Sequence, residues 1–176
     1  MNDITVRQFF DNPTISHASV LTAMDAKDGF CGRSFNINAM PWANMKYCLR
    51  LLQKDGIDVV ESLFEICYDV AGDEFWNASA FEFFGAKAYI FEQFKKTVEN
   101  EAKQLSGRGQ DDHLWHMAGA DRLKPFNDLL PLMALGKQFG MYPPDIGRKP
   151  YGEVLNMLVA LKIQGEVESD FVKLKK

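Results

Sequence analysis

Ile57-Asp58-Val59-Val60-Glu61-Ser62-Leu63-Phe64-Glu65-Ile66-Cys67-Tyr68-Asp69-Val70-Ala71 is the stretch whose reading decides the fold. Val59, Val60, Leu63, Cys67 and Val70 recur at helical spacing on one side, and Asp58, Glu61, Glu65 and Asp69 occupy the other. A strand would need apolar residues at every second position, and this segment lacks that pattern. The chain then breaks at Gly72 and turns at Asp73-Glu74. A long helix follows, capped by Asn77 or Ser79, opened by Phe81 and running to about Leu105. Phe81, Phe84, Ala88, Phe91 and Val98 recur along it at helical spacing, and Glu92 with Lys96 and Glu99 with Lys103 are supporting i,i+4 pairs.

The same plan recurs downstream. Residues 127–176 read as an apolar helix capped by Asn127, a break at Gly140, a turn at Pro143-Pro144 and a long helix opened by Tyr151. Pro131 is tolerable because it falls in the first turn. The last helix is apolar through Ile163 and strongly charged afterwards, so its end is expected to leave the core. A further echo lies upstream: Pro41-Trp42-Ala43-Asn44-Met45 followed by Leu49 matches Pro150-Tyr151-Gly152-Glu153-Val154 followed by Leu158. Proline suits a first helical position, so both segments read as helix starts.

Outward from these modules, residues 4–10, 14–26, 41–54 and 111–123 read as further helices. Lys27 to Asn38, with Phe30, Phe35 and Ile37 alternating weakly, reads as a loop or a short hairpin. The expected fold is all-α, a helical bundle built from two related helix-turn-helix modules. Ser106-Gly107-Arg108-Gly109 reads as a flexible joint. It gives an N-terminal lobe at 1–105 and a C-terminal lobe at 110–176, with one compact domain as the alternative.

Composition narrows the function classes. The 176 residues are 47% apolar, which supports a packed core rather than a disordered chain. Fourteen Phe is a heavy load, and some rings are candidates for a partner surface. A net charge of −4 argues against a general nucleic-acid or anionic-membrane role, and Lys173-Leu174-Lys175-Lys176 is the one dense basic patch. No apolar run reaches the roughly 18–20 residues of a membrane span. Met1-Asn2-Asp3-Ile4 lacks the regions of a signal peptide, so a cytoplasmic protein is expected. Cys31, Cys48 and Cys67 form no C-x-x-C pair; Cys48 and Cys67 sit on apolar helical faces and read as small core hydrophobes.

No convincing catalytic cluster is found. His113 and His116, beside Asp111 and Asp112, have spacing suited to sharing a metal, but a zinc site needs a further ligand that the sequence does not supply. A metal-dependent hydrolase using His113, His116 and Asp112 is therefore the enzyme alternative. A polar helix start is the simpler reading of the same residues. His17 is isolated and reads as a surface or capping residue. Around Gly29, Met24 and Ala26 fall where calcium ligands would be needed, which excludes a calcium loop. Gly107-Arg108-Gly109 is too short for a phosphate cradle. Glu61, Glu65 and Asp69 share a face as acid–base candidates or as a solvated helix side. The expectation is no enzyme, no metal and no cofactor.

Ala118-Gly119-Ala120-Asp121-Arg122-Leu123-Lys124-Pro125-Phe126, then Leu135-Gly136-Lys137-Gln138-Phe139-Gly140, Pro143 and Lys149-Pro150-Tyr151-Gly152-Glu153-Val154, resemble small helical bacteriophage tail proteins that include tail-assembly chaperones. The resemblance covers roughly residues 57–176. It implies a non-enzymatic protein that binds other virion proteins, such as a tape-measure protein, in the host cytoplasm. A structural adaptor retained in the virion is the alternative, and self-association is left open. The expected partner-binding residues are Tyr142, Tyr151, Val154 and Leu155, on a turn made rigid by Pro143, Pro144 and Pro150. The competing reading packs Tyr151 on Val154 and Leu155 as a hydrophobic staple.

Overall fold

A computed structural model describes residues 4–11, 24–106, 117 and 119–175. The elements are α1 (Val6–Asp11), α2 (Trp42–Leu51), α3 (Ile57–Tyr68), α4 (Gly72–Trp76), α5 (Ala80–Leu105), a 3-10 helix (Ala120–Phe126), α6 (Leu130–Phe139), α7 (Pro143–Gly147) and α8 (Tyr151–Leu174). Among the described residues the only extended pairing is three isolated bridges, so the fold is all-α. No described helix is long and apolar enough to cross a membrane.

The chain divides into two compact units, one of Met1–Ile37 with Tyr47–Val98 and one of Asn38–Lys46 with Glu99–Lys176. The lobes read from sequence were 1–105 and 110–176, with a joint at 106–109. In the structure the second unit also takes in residues 38–46 and begins within α5.

In the first unit, α3 forms where the amphipathic pattern placed it and buries Leu63, Phe64, Cys67 and Tyr68. It ends at Asp69, which adopts a left-handed conformation (φ 55°) and returns its N–H to the Glu65 carbonyl. The break expected at Gly72 therefore comes three residues earlier, and Gly72 starts α4 instead. The core is an aromatic cluster. Phe64 lies 4.6 Å from Phe30, 5.4 Å from Phe75 and 5.1 Å from Phe83, centroid to centroid. These spacings fall in the favourable range for ring pairs. Much of the Phe load thus packs internally.

The buried stripe of α5 differs from the expected one. Phe83, Ala86, Ile90, Phe94 and Thr97 face inward. Phe81, Phe84 and Ala88 are half-buried, and Phe91 and Val98 are exposed. Between Lys27 and Asn38, the hairpin alternative holds in minimal form. Phe30 and Arg33 exchange both backbone hydrogen bonds at 3.0 Å around Cys31 and Gly32, which both have positive φ. Arg33 pins this turn by donating to the Tyr68 carbonyl and to both Glu74 carboxylate oxygens, each at 3.2 Å.

In the second unit, α6 ends at Gly140 in a left-handed conformation (φ 65°), as the sequence suggested. The chain then folds back so tightly that a Cβ on Gly136 would lie 2.7 Å from the Met141 carbonyl oxygen. The residue preceding α6 is Leu129, so the expected cap at Asn127 is not used. The Pro143-Pro144 turn is itself a short helix, α7. Ile146, Leu135, Trp42, Met45 and the first turns of α8 form the core of this unit.

Each unit is closed by one antiparallel bridge between two helix starts. In the first, Thr5 pairs with Ser79. Val6 N–H donates to Ala78 C=O at 2.9 Å and Ala80 N–H to Ile4 C=O at 2.7 Å. In the second, Pro41 pairs with Pro150. Trp42 N–H donates to Lys149 C=O at 2.9 Å and Tyr151 N–H to Met40 C=O at 2.8 Å. The two segments that echo each other in sequence are therefore paired in space. Each proline immediately precedes its helix rather than occupying the first helical position.

Candidate partner-binding surface

Of the four residues expected on a binding face, the structure buries three. Tyr151 and Val154 have no exposed surface and Leu155 is 6% exposed, whereas Tyr142 is 69% exposed. The exposed helix start expected at 151–155 is therefore a buried one. The physical reason is the bridge between Pro41 and Pro150, which lays the Tyr151 ring on Trp42 at 5.3 Å with planes 12° apart. Tyr142 precedes α7 and stays on the surface, apart from the other three.

Around Tyr151 the second unit holds a polar cluster. Tyr151 donates its hydroxyl to Glu101 Oε2 at 2.9 Å. Lys46 Nζ donates to both Glu101 oxygens at 2.7 and 3.0 Å and lies 4.4 Å from the centre of the Trp42 ring. Burial, and then the Glu101 charge, push the Tyr151 phenol well above its ordinary range. Trp42 Nε1 is buried with no hydrogen-bond partner among the described residues. Every charge in this cluster is neutralised by a neighbour, which suits a structural lock.

Of the other carboxylates singled out by the sequence, Glu61 and Asp69 are structurally engaged and Glu65 is exposed. Glu61 accepts the Gly72 N–H at 2.7 Å, satisfying a free donor at the start of α4. Asp69 terminates α3 and lies 3.9 Å from Arg33. In the first unit a cleft of about 630 Å³ is lined by Asp25, Asp28, Glu82, Phe81 and glycines 29, 32 and 85. Asp28 spends its Oδ1 on the Phe35 N–H and the Tyr68 hydroxyl, and Glu82 accepts from the Cys31 N–H. These acids hold the 28–35 turn in place. His17, Asp111, Asp112, His113 and His116 lie outside the described residues, as do Gly107, Arg108 and Gly109.

Exposed large apolar side chains are unequally shared. Among the described residues Phe10, Tyr47, Phe91 and Val98 belong to the first unit, and the remaining twelve of sixteen belong to the second. Two runs have helical spacing. Phe126, Leu129 and Met133 follow i, i+3, i+7 into α6, and Ile163, Val167 and Phe171 follow i, i+4, i+8 along α8. The last buried residue of α8 is Leu158, so its second half projects past the core, as the charge pattern indicated. What the sequence reading missed is that this half carries an apolar stripe between its charges. The signal was present at 163, 167 and 171. No known protein family, no curated protein and no solved structure matches this chain.

Proposed function

We propose that this is a non-enzymatic docking protein whose second unit binds apolar helical segments of partner proteins. The observation that carries this reading is two exposed apolar runs, Ile163/Val167/Phe171 along α8 and Phe126/Leu129/Met133 from the end of the 3-10 helix through the turn into α6. A helix presenting side chains at i, i+3/i+4 and i+7/i+8 is complementary to another amphipathic helix, and Met133 adds an adaptable side chain. The more specific reading is bacteriophage tail assembly, with a tape-measure protein as partner. It rests on the sequence resemblance over residues 57–176. We also read the two units as related modules. Both place a helix, a five-residue helix, a bridge residue and a long helix in the same order, and both bridges use the same hydrogen-bond pattern.

The test is co-expression with the tape-measure protein from the same genome. The parent should keep that protein soluble, and a Val167→Glu/Phe171→Glu variant with an unchanged melting temperature should not. Equal solubilisation by both would overturn the surface assignment. A virion adaptor differs from a transient chaperone in one respect: mass spectrometry of purified particles would find it.

A further inference from the structure

Among the described residues Lys46, Lys87, Lys149 and Lys162 are the half-buried lysines. Three of them face a carboxylate: Lys46 that of Glu101, Lys149 that of Glu153 and Lys162 that of Glu166. Lys87 faces none among the described residues, and its ammonium lies 5.9 Å from the centre of the Phe91 ring. The sequence explains the gap. A helical ion-pair partner stands four residues away, and for Lys87 those positions are Phe83 and Phe91. A partly desolvated ammonium without a counter-charge is an unfavourable arrangement that an anion from outside would relieve.

Lys87 stands in a groove of about 270 Å³ within the first unit. Three helices wall it: Phe83 and Phe91 from α5, Ile57 and Val60 from α3, and Phe10 from α1. Phe10 meets Phe83 edge-on at 5.9 Å, which joins α1 to α5 along the apolar wall. Phe10 and Phe91 are also two of the four exposed large apolar side chains of this unit, so its surface apolarity converges here. The turn before α3 adds Lys54 and Asp55, and neither has an ion-pair partner among the described residues.

We propose that this groove binds a small amphipathic carboxylate of the medium-chain fatty acid class, with its chain against Phe10, Phe83 and Phe91 and its head on the Lys87 ammonium.

Charge and size select this class. Two lysines against one aspartate leave one positive charge along the groove, which matches a single anionic head. A neutral chain would cover Lys87 without neutralising it, and an ammonium ligand would be repelled. The volume is just below the roughly 300–1,000 Å³ of ordinary small-molecule clefts, so the body must be short. Lys87 can keep its methylene stem along the rings while its ammonium reaches the head. Lys54, exposed on the turn, supplies a second cation from the outside.

The experiment is calorimetric titration of the full chain with decanoate below its micelle concentration, with decanol and decyltrimethylammonium as controls. The expected result is one decanoate per chain with half-saturation below about 1 mM. Binding should weaken with added salt, and both controls should bind about tenfold more weakly or not at all. Lys87→Gln, with an unchanged melting temperature, should lose about tenfold in affinity, and Phe91→Ser should lose a similar factor. The proposal is overturned if decanoate does not bind, if decyltrimethylammonium binds as well, or if folded Lys87→Gln and Phe91→Ser both bind as the parent does. The Val167→Glu/Phe171→Glu variant tests independence from the docking surface, which lies on the other unit. It should bind decanoate as the parent does, and loss of binding there would move the ligand to α8 and overturn the assignment to this groove.

Discussion

Replacing Tyr151 separates a buried lock from a binding surface. The ring has no exposed surface, stacks on Trp42 at 5.3 Å and donates to Glu101 at 2.9 Å. In Tyr151→Phe the ring and its stack remain and one hydrogen bond to a carboxylate is lost. Such bonds contribute about 1.5–3 kcal/mol, and the low end applies because Lys46 still neutralises Glu101 at 2.7 Å. In Tyr151→Ala the ring goes too. Truncating a buried aromatic costs about 3–5 kcal/mol, and the weakened Glu101 partner set moves the expectation to the upper end of that range. With a urea m-value of about 2 kcal/mol/M, the alanine variant should move the midpoint down by about 2 M and the phenylalanine variant by under 1 M. The assay is equilibrium urea unfolding followed by tryptophan emission in a Trp76→Phe/Trp115→Phe background. Trp42 is then the only indole and reports on the unit that contains Tyr151. A shift below about 0.5 M for Tyr151→Ala, with m unchanged, would refute the burial argument and return Tyr151 to the surface.

Gly165→Ala on α8 has nothing within 4 Å of the added Cβ and should stabilise the protein by about 0.5–1 kcal/mol through helix propensity, read by thermal melts. Gly136→Ala gains the same propensity but drives its Cβ to 2.7 Å from the Met141 carbonyl, so it should instead cost about 1–3 kcal/mol. Burial first, and then the charges of Asp28 and Glu101 respectively, raise the phenols of Tyr68 and Tyr151 above the ordinary value near 10. The neutral phenols are thus favoured in the folded state. Their stabilisation is complete below about pH 10 and falls as pH rises above it, by up to about 1.4 kcal/mol per pH unit per tyrosine. Melts from pH 9 to 11 should show a shallower decline in Tyr68→Phe than in the parent, and equal slopes would count against this. Burial, then Glu74 and Glu82, raise the Cys31 thiol, with Arg33 opposing them. Iodoacetamide should therefore alkylate Cys31 at pH 8 more slowly than a thiol in an unstructured peptide, and Glu82→Gln should speed the reaction. No change in rate would contradict the charge effect.

How much was legible depended on how many faces a helix offers. In α3 the apolar residues occupy one side and the acids the other, and the structure buries Leu63, Cys67 and Val70 of the expected stripe, adds Phe64 and Tyr68, and leaves Val59 and Val60 half-buried. Along α5, aromatic residues lie on two faces. Phe81, Phe84 and Phe91 make one acceptable stripe, and Phe83, Ile90 and Phe94 make another. Periodicity alone is indifferent between them. The choice is made by Phe64 and Phe75, which meet Phe83 from α3 and α4, and by Phe35, which stacks on Phe94. On α8, the charges after Ile163 correctly signalled departure from the core, but they masked Val167 and Phe171.

The echo between Pro41-Trp42 and Pro150-Tyr151 was visible in sequence, and its physical meaning emerges only when the two are paired. In an antiparallel bridge of this kind the bridging residues turn their own N–H and C=O outward, and the neighbouring residues carry the hydrogen bonds. Trp42 and Tyr151 donate, and Met40 and Lys149 accept. Proline lacks an N–H, and here none is required. It fixes its φ at the point where the chain must leave an extended pairing and enter a helix. The following residue is then delivered inward, which is why Trp42 and Tyr151 meet face to face. In the first unit the same positions are Thr5 and Ser79, and the residues delivered inward are Val6 and Ala80, both with no exposed surface. Nothing in the side chains of Thr5-Val6 and Ser79-Ala80 resembles Pro-Trp or Pro-Tyr. The shared requirement is a backbone one, an outward-facing amide followed by an inward side chain, and several residue pairs satisfy it. That is why a frame common to both units could be read from the sequence in the second and not in the first.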